Sequence, residues 1–197
     1  MATFNLSWTA PVLTNSTVTN QRVEYRQRNI GPFINNTNNI SPLNDLSNTA
    51  IAAVINNLTD NMIYEFRVLS VCPGGVTNVN GNGVQENINF FCIPHTANTA
   101  TDTSITVVVA PLPSDINKVT FNIGTGNVFA TPVNGVATHT FPNLTPGLSY
   151  TITAQLTATL KTGDKTSTFA DCSVTRSTAP ATSCTAPNNL VVSVALA

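Results

Sequence analysis

Two stretches of this chain repeat one another, and the repeat limits the fold more than any other feature. Asn57-Leu58-Thr59-Asp60-Asn61-Met62-Ile63-Tyr64-Glu65-Phe66-Arg67-Val68 aligns with Asn143-Leu144-Thr145-Pro146-Gly147-Leu148-Ser149-Tyr150-Thr151-Ile152-Thr153-Ala154, an offset of 86 residues. In each copy a leucine precedes a turn, and a tyrosine six residues later opens an alternating strand. A period of this length is that of one β-sandwich module, and self-similarity at a fixed spacing is the signature of tandem architecture. At 197 residues the chain has room for two domains of about 90–100 residues, or for one large β domain. The repeat selects two.

Composition agrees with short strands and many turns. Asn and Thr together supply 57 residues, and Thr favours strands while Asn favours turns. Charged residues make up only 9% and the net charge is −1, so the basic surface that nucleic-acid binding needs is missing. Hydrophobic residues at 42% can fill a core, which argues against disorder. No apolar run approaches the roughly 18–20 residues of a membrane span, so no membrane insertion is expected. Phe4, Leu6 and Trp8 alternate with polar residues rather than forming a signal peptide, so a chain starting at Met1 is not expected to be exported by the usual route.

Period-two patterns predict strands near 3–9, 20–28, 50–56, 62–72 and 84–92, then near 103–110, 117–123, 135–141, 148–160 and 166–175. Residues 29–50 read as a long Asn-rich excursion of the kind that often forms a contact surface, and 73–83 as a mobile polar loop. The Leu-to-Tyr spacing resembles a tyrosine corner, in which the hydroxyl bonds back to the turn backbone. With Trp8 upstream and Arg22-Val23-Glu24-Tyr25-Arg26 between them, the first repeat resembles a fibronectin type III module. The resemblance implies that Trp8 is the core tryptophan of strand B, that Val23 and Tyr25 point inward from strand C, and that Leu58 and Tyr64 form the corner. Leu144 and Tyr150 repeat that corner. Cys72-Pro-Gly-Gly and Cys184-Thr-Ala-Pro-Asn-Asn-Leu190 resemble variants common in Bacteroidetes bacteria and their phages. The second repeat departs from the pattern: Ile105-Thr-Val-Val-Val109 takes the strand B position without a tryptophan, and 96–102 reads as a poor strand A.

The expected fold is therefore all-β: a sandwich over 1–94 lacking its own first strand, a second over 95–177, and a linker with a donor-type strand over 178–197. In that last segment Leu190, Val192, Val194 and Leu196 fall on one face. Residues 184–197 followed by 1–11 read as one continuous domain start. Burying the four aliphatic side chains is worth roughly 6–12 kcal/mol as an upper estimate, offset by ordering and association entropy. The tail is expected to complete the first domain of another copy. Docking on its own second domain, or a cut within a longer array, are the alternatives.

If it does so, Cys184 should approach Cys72 of the acceptor, a possible inter-subunit cysteine pair. Cys92 and Cys172 carry no comparable argument. None of the cysteines has CxxC spacing, and His95 and His139 lie in different repeats, His139 on a strand whose exposed face is the simplest place for it. No catalytic or phosphate-binding motif occurs, so no enzyme activity, metal or cofactor is expected. The Asn-x-Ser/Thr sequons, including those at Asn57 and Asn143, are expected by chance in so Asn- and Thr-rich a chain. Two functions fit: a bacteriophage virion component (capsid decoration, head-fibre or tail-associated subunit), or a fragment of a secreted bacterial adhesin or of the spacer modules of a polysaccharide-degrading enzyme. The first places the chain in a virion assembled in the host cytoplasm, with copies of itself and other virion proteins as partners; the second places it outside the cell or on its surface. Glycan binding by the exposed loops has no support in the sequence.

Overall fold

A computed structural model describes residues 1–9, 18–35, 39–41, 46–47, 51–73, 77–79, 83–167 and 172–181. Every regular element among them is a strand. The first sandwich packs a sheet of β1 (Ala2–Ser7), β5 (Ala52–Leu58) and β3 (Ile40–Ser41) on a sheet of β2 (Asn20–Gln27), β4 (Leu46–Ser47), β6 (Ile63–Val71), β7 (Thr77–Val79) and β8 (Gln85–Ile88). The second packs β13 (Ala137–Phe141), β10 (Ile105–Val109) and β9 (His95–Ala100) on β12 (Asn127–Ala130), β11 (Lys118–Asn122), β14 (Ser149–Leu160), β15 (Gly163–Thr166) and β16 (Ser173–Ser177).

Alternation decides which side chains fill each core. Phe4, Trp8, Val23, Tyr25, Ile55, Leu58, Tyr64 and Phe66 are buried together in the first sandwich. Ile105, Val107, Val109, Val119, Phe121, Ile152, Ala154 and Leu156 are buried in the second. Both corners have the same geometry: the Thr59 amide donates to the Tyr64 hydroxyl at 3.1 Å, and the Thr145 amide to the Tyr150 hydroxyl at 2.9 Å. The repeated asparagines have a backbone reason. Asn57 and Asn143 sit at φ 60° and 57°, a left-handed conformation that Asn tolerates better than most residues.

Several sequence expectations need correction. Residues 95–100 form a full strand, β9, although their side chains give no apolar alternation; backbone pairing with β10 suffices. The expected strand at 166–175 is two elements, β15 and β16, which pair with opposite halves of β14. The strand expected at 84–92 ends at Ile88, because the chain there leaves the sheet as a connector. The 29–50 excursion contains β3, β4 and an isolated bridge from Ile34 to Tyr25, and Thr77–Val79 within the expected mobile loop pairs with β6. His139 is half-buried and faces inward, its ring 4.7 Å from Phe141 and 6.2 Å from Phe121. Burial there holds the imidazole below its ordinary pKa.

Candidate functional site

Two features stand out: the joint between the sandwiches and the outer edge of β1.

The joint starts from a cross-strand row. Ile63 pairs with Ile88 and Glu65 with Glu86 where β6 meets β8. Ile63, Ile88 and Ile93 are buried in one apolar cluster with Ile116, Leu156 and Leu160 of the second sandwich. Around this apolar contact the carboxylates and cations interlock. The Lys161 ammonium lies 2.9 Å from Glu65 and 3.4 Å from Glu86, and its backbone amide donates to Glu86 at 2.7 Å. Arg26 reaches the other Glu65 oxygen at 2.5 Å. Arg28 spans the joint to Asp115 and to the Thr159 carbonyl, both at 2.8 Å, while Asp115 also accepts the Ile63 amide at 2.8 Å. Lys165 donates to the Asn87 side chain and the Ile88 carbonyl. Burial opposes the Glu65 charge, but hydrogen bonds from Lys161 and Arg26 outweigh it and hold the carboxyl below its ordinary value. The Lys161 amine is held above its ordinary value, first by its hydrogen bond to Glu65.

The connector itself is fixed from both sides. Asn61 takes a left-handed turn at φ 60°, its amide donates to the Asn89 carbonyl, and its side chain both donates to and accepts from the Phe91 backbone at 2.9 and 2.8 Å. One residue on, Cys92 is bonded to Cys172, which precedes β16 and is buried. Sequence reasoning missed this bond. Its signal was the position of Cys92 just after the end of the first module, where a connector enters beside the last strand of the next.

The edge of β1 is the second feature. In the second sandwich β10 lies between β13 and β9. The equivalent strand β1 pairs with β5 on one side, and among the described residues no strand pairs with the other. The equivalence is fixed by register: Phe4 and Leu6 oppose Ile55 and Ala53 as Ile105 and Val107 oppose Phe141 and His139. Beside the open edge lies a groove lined by Leu6 and Ser7 of β1, by Trp8 just past its end, and by Phe66, Arg67, Val68, Gly83 and Gln85 from the side of the facing sheet. The Trp8 indole is anchored by a 2.7 Å hydrogen bond to Gln21.

Of the sequence-predicted residues, Trp8, Tyr25, Leu58 and Tyr64 share the first core, with Leu144 and Tyr150 packed against the second. Cys72 is a half-exposed free thiol just past β6. Cys184 and the face of Leu190, Val192, Val194 and Leu196 lie outside the described residues. No group of three or more His, Cys, Asp or Glu side chains converges on a metal-sized site among the described residues.

Residues 2–86 match the family described as Fibronectin type III domain. The chain is built of tandem fibronectin type III-like modules, an all-β architecture. Among solved structures it is similar to the FN1–FN3 domains of chicken CNTN1, at 15% identity over 90% of this chain with a TM-score of 0.35; the match spans 62% of that chain. It is also similar to a two-domain fibronectin type III segment of chicken tenascin, at 14% identity over 89% of this chain and 92% of that one, with a TM-score of 0.43. No curated protein matches the sequence.

Proposed function

We propose that this chain is a non-enzymatic structural assembly protein, whose two modules act as one stiff unit and whose copies join end to end in a bacteriophage virion as a capsid decoration, head-fibre or tail-associated subunit. The observation that carries the structural reading is the joint. A flexible tandem needs only a connector, whereas here Ile63, Ile88 and Ile93 enter the core of the next module and the connector is bonded to both sides. Such a joint keeps a fixed angle and passes load from one sandwich to the next. The virion setting extends the resemblance of the Cys72 and Cys184 segments to modules of Bacteroidetes bacteria and their phages. Other virion proteins would be the further partners.

A second reading, a secreted adhesin or spacer segment, is favoured by the Cys92–Cys172 bond, since disulfides persist in oxidising surroundings. A virion subunit would reach the same surroundings after lysis. Mass spectrometry of purified particles against culture supernatant and cell envelope separates the two. Recovery of the chain at fixed stoichiometry with capsid protein supports the virion. Recovery with the envelope or the supernatant alone overturns it. Small-angle scattering tests the stiff unit itself, which requires a single interdomain distance rather than a broad distribution.

A further inference from the structure

We infer that the groove beside β1 is an acceptor for the C-terminal strand of a second copy, which enters antiparallel to β1 from the end of the module where Trp8 and Cys72 lie. The inference rests on the assembly reading above and names its site and direction.

Direction follows from the poles of the two modules. In the first, Ala2 lies opposite Leu58 and Ser7 opposite Ala52, so the start of β1 lies at the corner and its end at the far pole. The start of β6, also at the corner, faces the second module; its end, with Cys72, is at the far pole. In the second module the residues that bond to the first include Asp115, shortly before β11, and Thr159, Lys161 and Lys165, at and beyond the end of β14. Its exit is at the other end, because Ser177 pairs with Ser149, the first residue of β14. The chain therefore leaves the molecule at the pole away from the first module.

It leaves on the same track as the connector. The Asn61 amide binds the Asn89 carbonyl as chain leaves the first corner, and the equivalent Gly147 amide binds the Ala179 carbonyl as chain leaves the second. Within the chain, that track leads straight into β9, which pairs antiparallel along β10. Repeating the step from the second module leads to a β10-type edge on the next molecule, and β1 is that edge.

Reach excludes the molecule's own β1. Antiparallel entry at the Trp8 pole requires passing the twelve residues of β14 and the six of β1, about 60 Å at 3.3 Å per residue. Residues 182–189 span at most about 29 Å. The groove also matches the strand in chemistry: half-buried Leu6 and Val68 line it over the buried rings of Trp8 and Phe66, and Leu190, Val192, Val194 and Leu196 alternate onto one face.

The test uses the full chain. Val192→Asp with Val194→Asp should abolish self-association by light scattering, whereas Val191→Asp, on the opposite face, should not. A synthetic peptide of residues 184–197 added to the double variant should change the emission intensity of Trp8, the only tryptophan in the chain, and shield it from an aqueous quencher. A short bis-maleimide added to mixed ¹⁴N- and ¹⁵N-labelled wild-type protein should link Cys72 of one label to Cys184 of the other. Assembly that survives the double substitution, with no Trp8 response to the peptide, overturns the groove as acceptor and leaves the structural reading standing. Links confined to one label show self-docking and likewise overturn the inference. Wild-type chain that stays monomeric at every concentration, again with no Trp8 response, overturns assembly itself.

Discussion

The two module corners share one backbone and differ in one row of side chains. Aligned on Tyr64 and Tyr150, the pair Ile63–Ile88 corresponds to Ser149–Ser177, and Glu65–Glu86 to Thr151–Thr175. At the first corner the row is covered by another module; at the second it is exposed, its hydroxyls bonded to each other at 2.7 and 3.4 Å. Asn61 becomes Gly147 at the same left-handed position, so the turn survives and the side-chain clamp does not. Fold and function thus separate cleanly along this row. The corner tyrosine, the turn asparagine and the exit track make a module. The cross-strand row decides whether its end is sealed to a neighbour or left wet.

The difference breaks most easily at its apolar centre. Ile63→Ala should cost about 2–5 kcal/mol and loosen the joint, because a fully buried side chain leaves a cavity between two modules. Thermal melts of the variant should separate into two transitions. A single transition, lowered by less than the core range, would mean the modules are coupled by their connector alone.

Opening the disulfide should come next. Cys92→Ser with Cys172→Ser should lose about 2–4 kcal/mol, since the bond closes a loop spanning 80 residues of sequence. The loss should fall mainly on the second module, and reduction of wild-type protein should reproduce it in a denaturant titration.

Asn61→Gly converts the first corner to the form of the second. Glycine keeps the positive φ, so only the two bonds to the Phe91 backbone are lost, at about 1–3 kcal/mol together. Hydrogen exchange should rise at residues 89–92 and stay unchanged in the sheets.

The corner motif was legible because it rests on local rules: a tyrosine six residues after a leucine, an asparagine where φ must be positive, and alternation in β1, β6 and β14. The joint was not legible. Ile63, Glu65, Glu86 and Lys161 are distant in sequence and each is ordinary on a strand; only the placement of one module on the other brings them together. Strand β9 escaped for a related reason, since it is held by backbone pairing to β10 and its side chains carry no period. His139 was assigned to an exposed face because a lone polar residue gives no sign of which side of the strand is the core.

Glu65 gives the first corner a pH dependence that the hydroxyl row of the second cannot have. The folded-state pKa of Glu65 is lowered, so its charge adds stability above the ordinary carboxylate range, and that contribution is lost as pH falls through the folded value. Lys161, raised by the same contacts, keeps its side of the pair until strongly alkaline pH. Glu65→Gln should cost about 1 kcal/mol at neutral pH and flatten the acid limb of stability against pH. An unchanged acid limb would place the acid sensitivity outside this pair.

The smallest effect is expected at the second corner. Ser149→Ala with Thr151→Ala removes two exposed hydroxyls whose partners, Ser177 and Thr175, can turn to water, so stability should stay within about 0.5 kcal/mol of wild type. On the proposal that copies join through a donated strand, the same variant should still assemble, because such a joint has no need of this row. It follows that joints between copies should bend more than the joint within each copy, and electron micrographs of assembled chains should show angular spread at every second joint only. A loss at Ser149 and Thr151 as large as that at Ile63, or assembly that fails without them, would show that the second corner is also sealed to a module and would put the two corners on the same footing.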